Sequence, residues 1–208
     1  MSLNVKYDDT SVTVYQTCTD QNADEALRHQ QFSSPSSSLE NITWFKSSFL
    51  WTMYQSRWSK AINQERVLAI KLNRAGCEFA LANYCVYDPT HYENRTVFEE
   101  KLASTITRLR WEDDRDLNSN PIANSKAYLV GLPVTTIEKY STEWIVEVTD
   151  VTEFCHSIGN LVRNGQSEEA KKQLPPETEY QFKDLLKGFE FVFNEMSHAH
   201  FRRLKRGY

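Results

Sequence analysis

Glycine is scarce in this chain, with six among 208 residues. Few positions therefore let backbone approach a phosphate closely, which weighs against a glycine-cradled nucleotide site. Neither a Walker loop nor a Gly-x-Ser-x-Gly elbow occurs. The four cysteines (Cys18, Cys77, Cys85 and Cys155) are scattered and form no C-x-x-C pair. That excludes a dense disulfide scaffold and argues against a zinc framework. No apolar run approaches the ~18 residues of a membrane span, and the opening MSLNVKYDDT lacks the apolar stretch of a secretory signal. Positive charge is not in excess either. With a net charge of −4 the chain has no overall field to draw in nucleic acid, so such a partner would need a local patch. The expectation is an intracellular, reduced, cytoplasmic protein with no membrane partner, whose triplets Asn41-Ile42-Thr43 and Asn94-Arg95-Thr96 are accidental.

What the chain does have is aromatic side chains: five Trp, ten Tyr and eleven Phe. A chain of this mass can bury about 70% of its unfolded surface, enough for a real core without staples. We expect a single domain over residues 1–208, with a core over 1–150 and a mainly helical extension over 151–208.

Val12 to Gln16 reads as a first strand, and Ala23 to Gln31 as a helix capped by Asn22. Residues 33–38 (SSPSSS) read as a mobile loop. Ile42 to Phe45 is a short strand, and Ser47 to Trp58 an amphipathic helix with Phe49, Leu50, Met53, Tyr54 and Trp58 at helical spacing. The unbroken run Val67-Leu68-Ala69-Ile70 within Arg66 to Leu72 suggests a central strand covered on both sides. Helices follow over 75–85 and 93–104, strands over 108–112 and 126–132, a helix over 134–141 and a strand over 143–149. Helices are expected again over 151–164 and 167–174, broken by Pro175-Pro176, and then from Tyr180 to about His200. A basic tail, 202–208, ends the chain. Strands and helices mix without strict alternation, which favours an α+β fold.

The segment Trp44 to Trp58 (WFKSSFLWTMYQSRW) is the most unusual. Its bland reading is a core helix with snorkelling cations. Its functional reading is a cleft wall, with rings to stack a base or nicotinamide and cations and hydroxyls to hold phosphate or ribose. Positions 50, 54 and 57 share one helix side, placing Tyr54 and Arg57 within reach of one ligand. Glu143, opening a strand with Trp144-Ile145-Val146, is a candidate carboxylate. Glu147 on the same face lies ~13 Å away, too far for a direct dyad. The acidic run Glu112 to Asp116 reads as an exposed turn, and Cys155-His156 has no partner at metal or nucleophile spacing.

Over most of its length the chain resembles the uncharacterised family called domain of unknown function 4291. Val14-Tyr15-Gln16, the whole 44–58 segment, Gln64-Glu65-Arg66-Val67-Leu68-Ala69-Ile70, and Glu143-Trp144-Ile145-Val146 with Asp150-Val151-Thr152 carry the match. It departs from that family's pattern at Ser47, where proline is common, and at Lys126-Ala127-Tyr128-Leu129, which replaces a more basic, glutamine-bearing strand.

A remoter similarity is to ADP-ribosyltransferases. Val14-Tyr15-Gln16-Thr17, then Ala23, Ala26 and Phe32, is similar to their first strand and following helix, with Gln16 where His or Arg is usual. Glu143 sits in the order and context of their catalytic glutamate. This resemblance implies a split mixed or antiparallel sheet flanked by helices. It also implies NAD as substrate, cleaved at the nicotinamide–ribose bond, with ADP-ribose passed to a protein, nucleic acid or small molecule. Glu143 would stabilise the charge developing on the ribose. Tyr15 and Gln16 would sit by the nicotinamide and its ribose, and Ser48, Trp51 and Tyr54 would line the cleft. Lys46 or Arg57 would meet the diphosphate. The rival expectations are a non-catalytic module for a nucleotide or single-stranded nucleic acid, and a degenerate enzyme that binds NAD without cleaving it. The oligomeric state stays open.

Overall fold

The run of β-branched and aliphatic residues in Arg66–Asn73 forms the strand around which the sheet is built. The computed structural model describes residues 3–32, 42–133, 137 and 142–180, and is a mixed α+β fold. Its strands are β1 (Asn4–Tyr7), β2 (Ser11–Cys18), β3 (Ile42–Lys46), β4 (Arg66–Asn73), β5 (Tyr84–Val86), β6 (Thr107–Arg115), β7 (Pro121–Pro133), β8 (Ile145–Asp150) and β9 (Thr178–Glu179). Six α-helices occur among the described residues: α1 (Asp20–His29), α2 (Phe49–Ser56), α3 (Arg74–Ala82), α4 (Arg95–Ser104), α5 (Thr152–Arg163) and α6 (Ser167–Gln173).

The strands form one curled sheet in the order β5-β6-β7-β3-β2-β4-β8, with β1 and β9 beside the start of β2. All pairings are antiparallel except β5 with β6. β2 and β4 pair along eight residues, Ser11 opposite Asn73 through Cys18 opposite Arg66. β2 and β3, by contrast, meet at a single pair, Tyr15 opposite Lys46. That one pair joins the β5-β6-β7-β3 half to the β2-β4-β8 half.

β4 is covered on both faces, as its unbroken apolar run predicts. Leu68 and Ile70 face a core with Val12, Val14, Ala23, Ala26, Phe45, Cys77 and Trp144, under α1 and α3. Val67 and Ala69 face a second core with Tyr15, Phe49, Met53 and Cys155, under α2 and α5. Arg66 ties the end of this sheet together. It bonds Asp20 and Asp24 of α1 at 3.3 Å each and pairs with Asp150 at the end of β8.

β8 lies at the sheet edge, and two local devices act on it. Leu72 pairs with Ile145 but Lys71 with Glu147, so Val146 bulges outward, 59% exposed. Gln30, in the left-handed conformation at the end of α1, uses its side-chain amide like a strand residue. Its Oε1 accepts from Val148 N at 2.7 Å and its Nε2 donates to Val148 O at 3.1 Å.

Several sequence expectations shift. The first helix begins at Asp20 and is capped by Thr19, whose hydroxyl accepts from Asn22 N, rather than by Asn22. The helix expected over 75–85 stops at Ala82, and Cys85 lies in β5, a strand too short to show alternation. Glu143 does not open a strand. Asn73 ends β4 by capping α3, and it takes Trp144 O on its backbone N (2.8 Å) and Glu143 O on its side chain (2.8 Å). Pairing with β4 therefore starts at Ile145, and Glu143 belongs to a helical turn before it. The loop over 33–38 lies outside the described residues, as does the C-terminal helix expected from Tyr180 to about His200, with its basic tail, apart from Tyr180, which is not helical. So does the helix expected over 134–141, apart from helical Ile137.

α3 sits close on the sheet because Gly76 has no side chain. A Cβ there would lie 2.3 Å from Cγ of Trp144. Gly76→Ala should cost about 1–3 kcal/mol through overpacking, read as a lower thermal midpoint. An unchanged midpoint would show that the Trp144 ring can move aside freely.

Candidate functional site

β3 runs into α2 through Ser47 and Ser48, and hydrogen bonding dictates how. Ser47 continues the β3–β7 ladder by one step, its N donating to Tyr128 O (2.9 Å) and its Oγ accepting from Tyr128 N (3.0 Å). Ser48 caps α2, accepting from Trp51 N at 3.1 Å. Its hydroxyl donates to Oδ1 of buried Asp114 at 2.7 Å. Asp114 faces inward because β6 bulges between Asp113 and Arg115. A second carboxylate arrives from the C-terminal segment, where Glu177 Oε1 accepts from Phe49 N at 2.8 Å.

Two acidic groups thus occupy the positive end of the α2 dipole, where negative charge is favoured. A phosphate there would be the third. Ser48, expected to hold ligand, is committed to the helix cap and to Asp114. Burial pushes the Glu177 carboxyl from its ordinary 4.5 up to about 8, against the bond from Phe49 N and with added repulsion from Asp114.

Lys46 has different surroundings. It ends β3 opposite Tyr15, so both side chains share the face covered by α2. Tyr15 is buried edge-on against Phe49, with ring centroids 5.5 Å apart. Burial first, and Glu177 second, push its hydroxyl well above the ordinary tyrosine range. Lys46 itself is only 6% exposed. Its Nζ donates to Thr17 Oγ1 at 2.8 Å, and Thr17 donates in turn to Gln64 Oε1 at 3.0 Å. Among the described residues no carboxylate lies within ion-pair distance of it. Burial lowers its pKa from 10.5 to about 8, so at neutral pH it is a buried cation with one neutral acceptor.

The remaining predicted residues are spread more widely. Gln16 points to the opposite face of β2 from Tyr15, level with Leu68, and its buried Oε1 has no hydrogen-bond partner among the described residues. Thr43 Oγ1 is likewise buried and unbonded. Trp51 is buried against Ala127 and Leu129, with Leu129 directly opposite Lys46. The Trp51 indole N–H has no partner. Tyr54 is 42% exposed and carries the Arg115 guanidinium 4.2 Å above its ring. Arg57 leaves the helix in the left-handed conformation and is exposed, so Tyr54 and Arg57 do not share a helical face.

Glu143 is exposed and held by its backbone at the Asn73 end of β4. Tyr15 pairs with Ala69, four residues earlier on the same strand, which is about 13 Å at 3.3 Å per residue. The structure therefore brings Tyr15, Lys46 and Ser48 together around the start of α2. It leaves Gln16, Tyr54, Arg57 and Glu143 apart from them. Thr17, Gln64, Asp114 and Glu177 are the site's unpredicted members. Of these, Gln64 carried a sequence signal through the family-like run before β4, and Thr17 through the stretch Val14-Tyr15-Gln16-Thr17. No group of three His, Cys, Asp or Glu among the described residues could hold a metal ion.

These shifts fix how stability follows pH. Glu177 is protonated in the folded protein up to about pH 8 but ionises near 4.5 when unfolded, so the native state holds more protons between those values. Its contribution is complete below about 4.5 and is lost as pH rises towards 8. Lys46 acts in the opposite sense from about 8 to 10.5, where the native state holds fewer protons and stability recovers with pH. Denaturant melts across this range should show Glu177→Gln flattening the fall below pH 8, and Lys46→Met flattening the rise above it. A wild-type curve level from 4.5 to 8, matched by Glu177→Gln, would contradict the assignment.

No helix among the described residues is long and apolar enough to cross a membrane. No curated protein and no solved structure matches the chain. One family model does, over residues 2–180, which takes in the single-pair junction of β2 with β3, the capped start of α2 and the Glu177 segment. The chain belongs to the family described as Domain of unknown function (DUF4291).

Proposed function

We propose that this chain is an ADP-ribosyltransferase-like protein that takes NAD at the junction of β2 and β3. The observation that carries this reading is Lys46, a buried ammonium that among the described residues has no carboxylate beside it and a single neutral hydrogen-bond partner. Burying an unpaired cation is costly, and the cost falls when an anion joins it. The diphosphate of NAD supplies that anion, and of the two cations the sequence resemblance puts beside it, Lys46 and Arg57, Lys46 is the buried one. The start of α2 already holds Asp114 and Glu177, so the diphosphate belongs on the Lys46–Thr17–Gln64 side. Trp51, packed against Leu129, the ladder partner of Lys46, adds an N–H donor that has no partner among the described residues.

The transfer step rests on the resemblance at Glu143-Trp144-Ile145-Val146. Cleavage develops positive charge on the ribose, and a carboxylate near the 2′-hydroxyl stabilises it. The acceptor would be a protein, a nucleic acid or a small molecule. A second reading, NAD binding without cleavage, is favoured by one observation: Glu143 is exposed and about 13 Å along β4 from the Tyr15–Lys46 pair.

Calorimetric titration with NAD tests the binding step. Lys46→Met should weaken binding by roughly 10–100-fold, the value of a hydrogen bond to a charged group. Because it removes a buried unpaired charge, this variant should melt no lower than wild type. Adenylate-labelled NAD tests the transfer step, through nicotinamide release and label transfer to the protein or to added RNA and DNA. Release lost in Glu143→Gln supports the transferase. Binding without release in wild type assigns the non-cleaving reading, and no binding by wild type sinks the proposal.

A further inference from the structure

The chain leaves α2 through three consecutive residues in the left-handed conformation, none of them glycine: Arg57 (φ 53°), Trp58 (φ 59°) and Ser59 (φ 57°). L residues avoid this region, and runs of it persist only where the surroundings over-determine them. Here Trp58 N bonds Met53 O at 2.8 Å, Ser59 N bonds Ser56 Oγ at 3.2 Å, and Lys60 N and Ala61 N both bond Ser56 O at 2.9 Å. The Trp58 ring lies over Gly159 of α5, where a Cβ would come within 3.1 Å. The product of this strained turn is the position of one hydroxyl. Ser59 Oγ lies 2.6 Å from Nε2 of His156, which is 97 residues away in sequence. Nδ1 of the same ring faces Glu153 Oε1 one turn earlier on α5, at 3.8 Å.

From this geometry we infer that Ser59 is a nucleophile activated by His156 and accepts an acyl group from a small activated ester or thioester. A serine hydroxyl is weak until an adjacent base can take its proton, and a strained turn is one way a fold presents such a group. With the ring neutral and its proton on Nδ1, Ser59 donates to Nε2. As Oγ bonds the acyl carbon, its proton passes to Nε2 and the leaving oxygen or sulfur departs with the electron pair of its bond to that carbon.

Two features define the substrate and the outcome. Ser59 is 5% exposed while the His156 side chain is 36% exposed, so the approach is past the imidazole and admits only a small acyl group. The N–H groups of Ser59, Lys60 and Ala61 are all spent on Ser56, leaving none of them to stabilise an oxyanion. One such donor is worth roughly 10²–10³ in rate. Ser59 therefore takes one acyl group and releases it slowly, rather than turning over as a hydrolase.

The test uses the full chain and p-nitrophenyl acetate, following nitrophenolate release, intact mass and the modified peptide. The expected result is a burst of one equivalent with the acetyl group on Ser59. Ser59→Gly suits a φ of 57° and should abolish the burst with the fold intact. His156→Gln, on the half-exposed face of α5, should slow acylation by roughly 10²-fold or more, the usual value of a positioned base. Acetylation confined to lysines, or Ser59 labelled equally fast in His156→Gln, would overturn the inference. The second variant decides the matter even if the first fails to fold.

Discussion

The backbone ladders of the two halves of the sheet meet at one residue pair, Tyr15 opposite Lys46, and the candidate site is built around that pair. The ladders on either side of it are long: eight pairs between β2 and β4, and five between β3 and β7. At the junction, side chains replace backbone bonds as the connection. Phe49 packs edge-on against Tyr15, and Lys46 reaches across to Thr17. Two side-chain oxygens on β2 and β3, Gln16 Oε1 and Thr43 Oγ1, are buried without a hydrogen-bond partner among the described residues.

The charged groups on the α2 side fall into two environments separated by a few residues. At the start of α2, the carboxyl groups of buried Asp114 and half-buried Glu177 lie against a helix dipole and a serine cap. One residue before that cap pair begins, Lys46 is buried as a base against a threonine. For Glu177 and Lys46 burial favours the neutral form, raising the acid and lowering the base towards the same pH near 8. The neutral range is thus where both groups are mostly protonated, one neutral and one charged. This makes the Lys46 side the electropositive part of the junction, although the chain as a whole is acidic.

Much of the scaffold was legible from residue type. β2 and β4 announce themselves through β-branched and aliphatic runs, and α2 through rings at helical spacing. The aromatic segment drew attention to Lys46, which the structure buries at the junction. What could not be read were features that depend on a local irregularity or a distant partner. Asp114 lies in an acidic run that looks like a solvated turn, and only the bulge in β6 turns it inward. Glu177 reaches Phe49 across 128 residues and Ser59 reaches His156 across 97, with no motif to mark either. Glu143 misled in the opposite way. Its neighbours Trp144, Ile145 and Val146 look like strand, but the need to cap α3 made Asn73 seize the Glu143 carbonyl and hold that residue out of the sheet. Gln16 and Tyr15 are adjacent in sequence and for that reason alone lie on opposite faces.

The amide of Gln30 against Val148 has an implication for how this protein meets others. An edge strand with free backbone groups invites another chain to add itself to the sheet, and such additions underlie both peptide capture and runaway aggregation. On β8 the Val148 N–H and C=O are already engaged by a side chain that cannot be extended into a further strand, and the bulge at Val146 breaks the regular spacing that an incoming strand would need. Growth of the sheet through that edge is blocked at its centre, which leaves the chain free to keep a twisted, half-covered strand at its border without templating its own polymerisation.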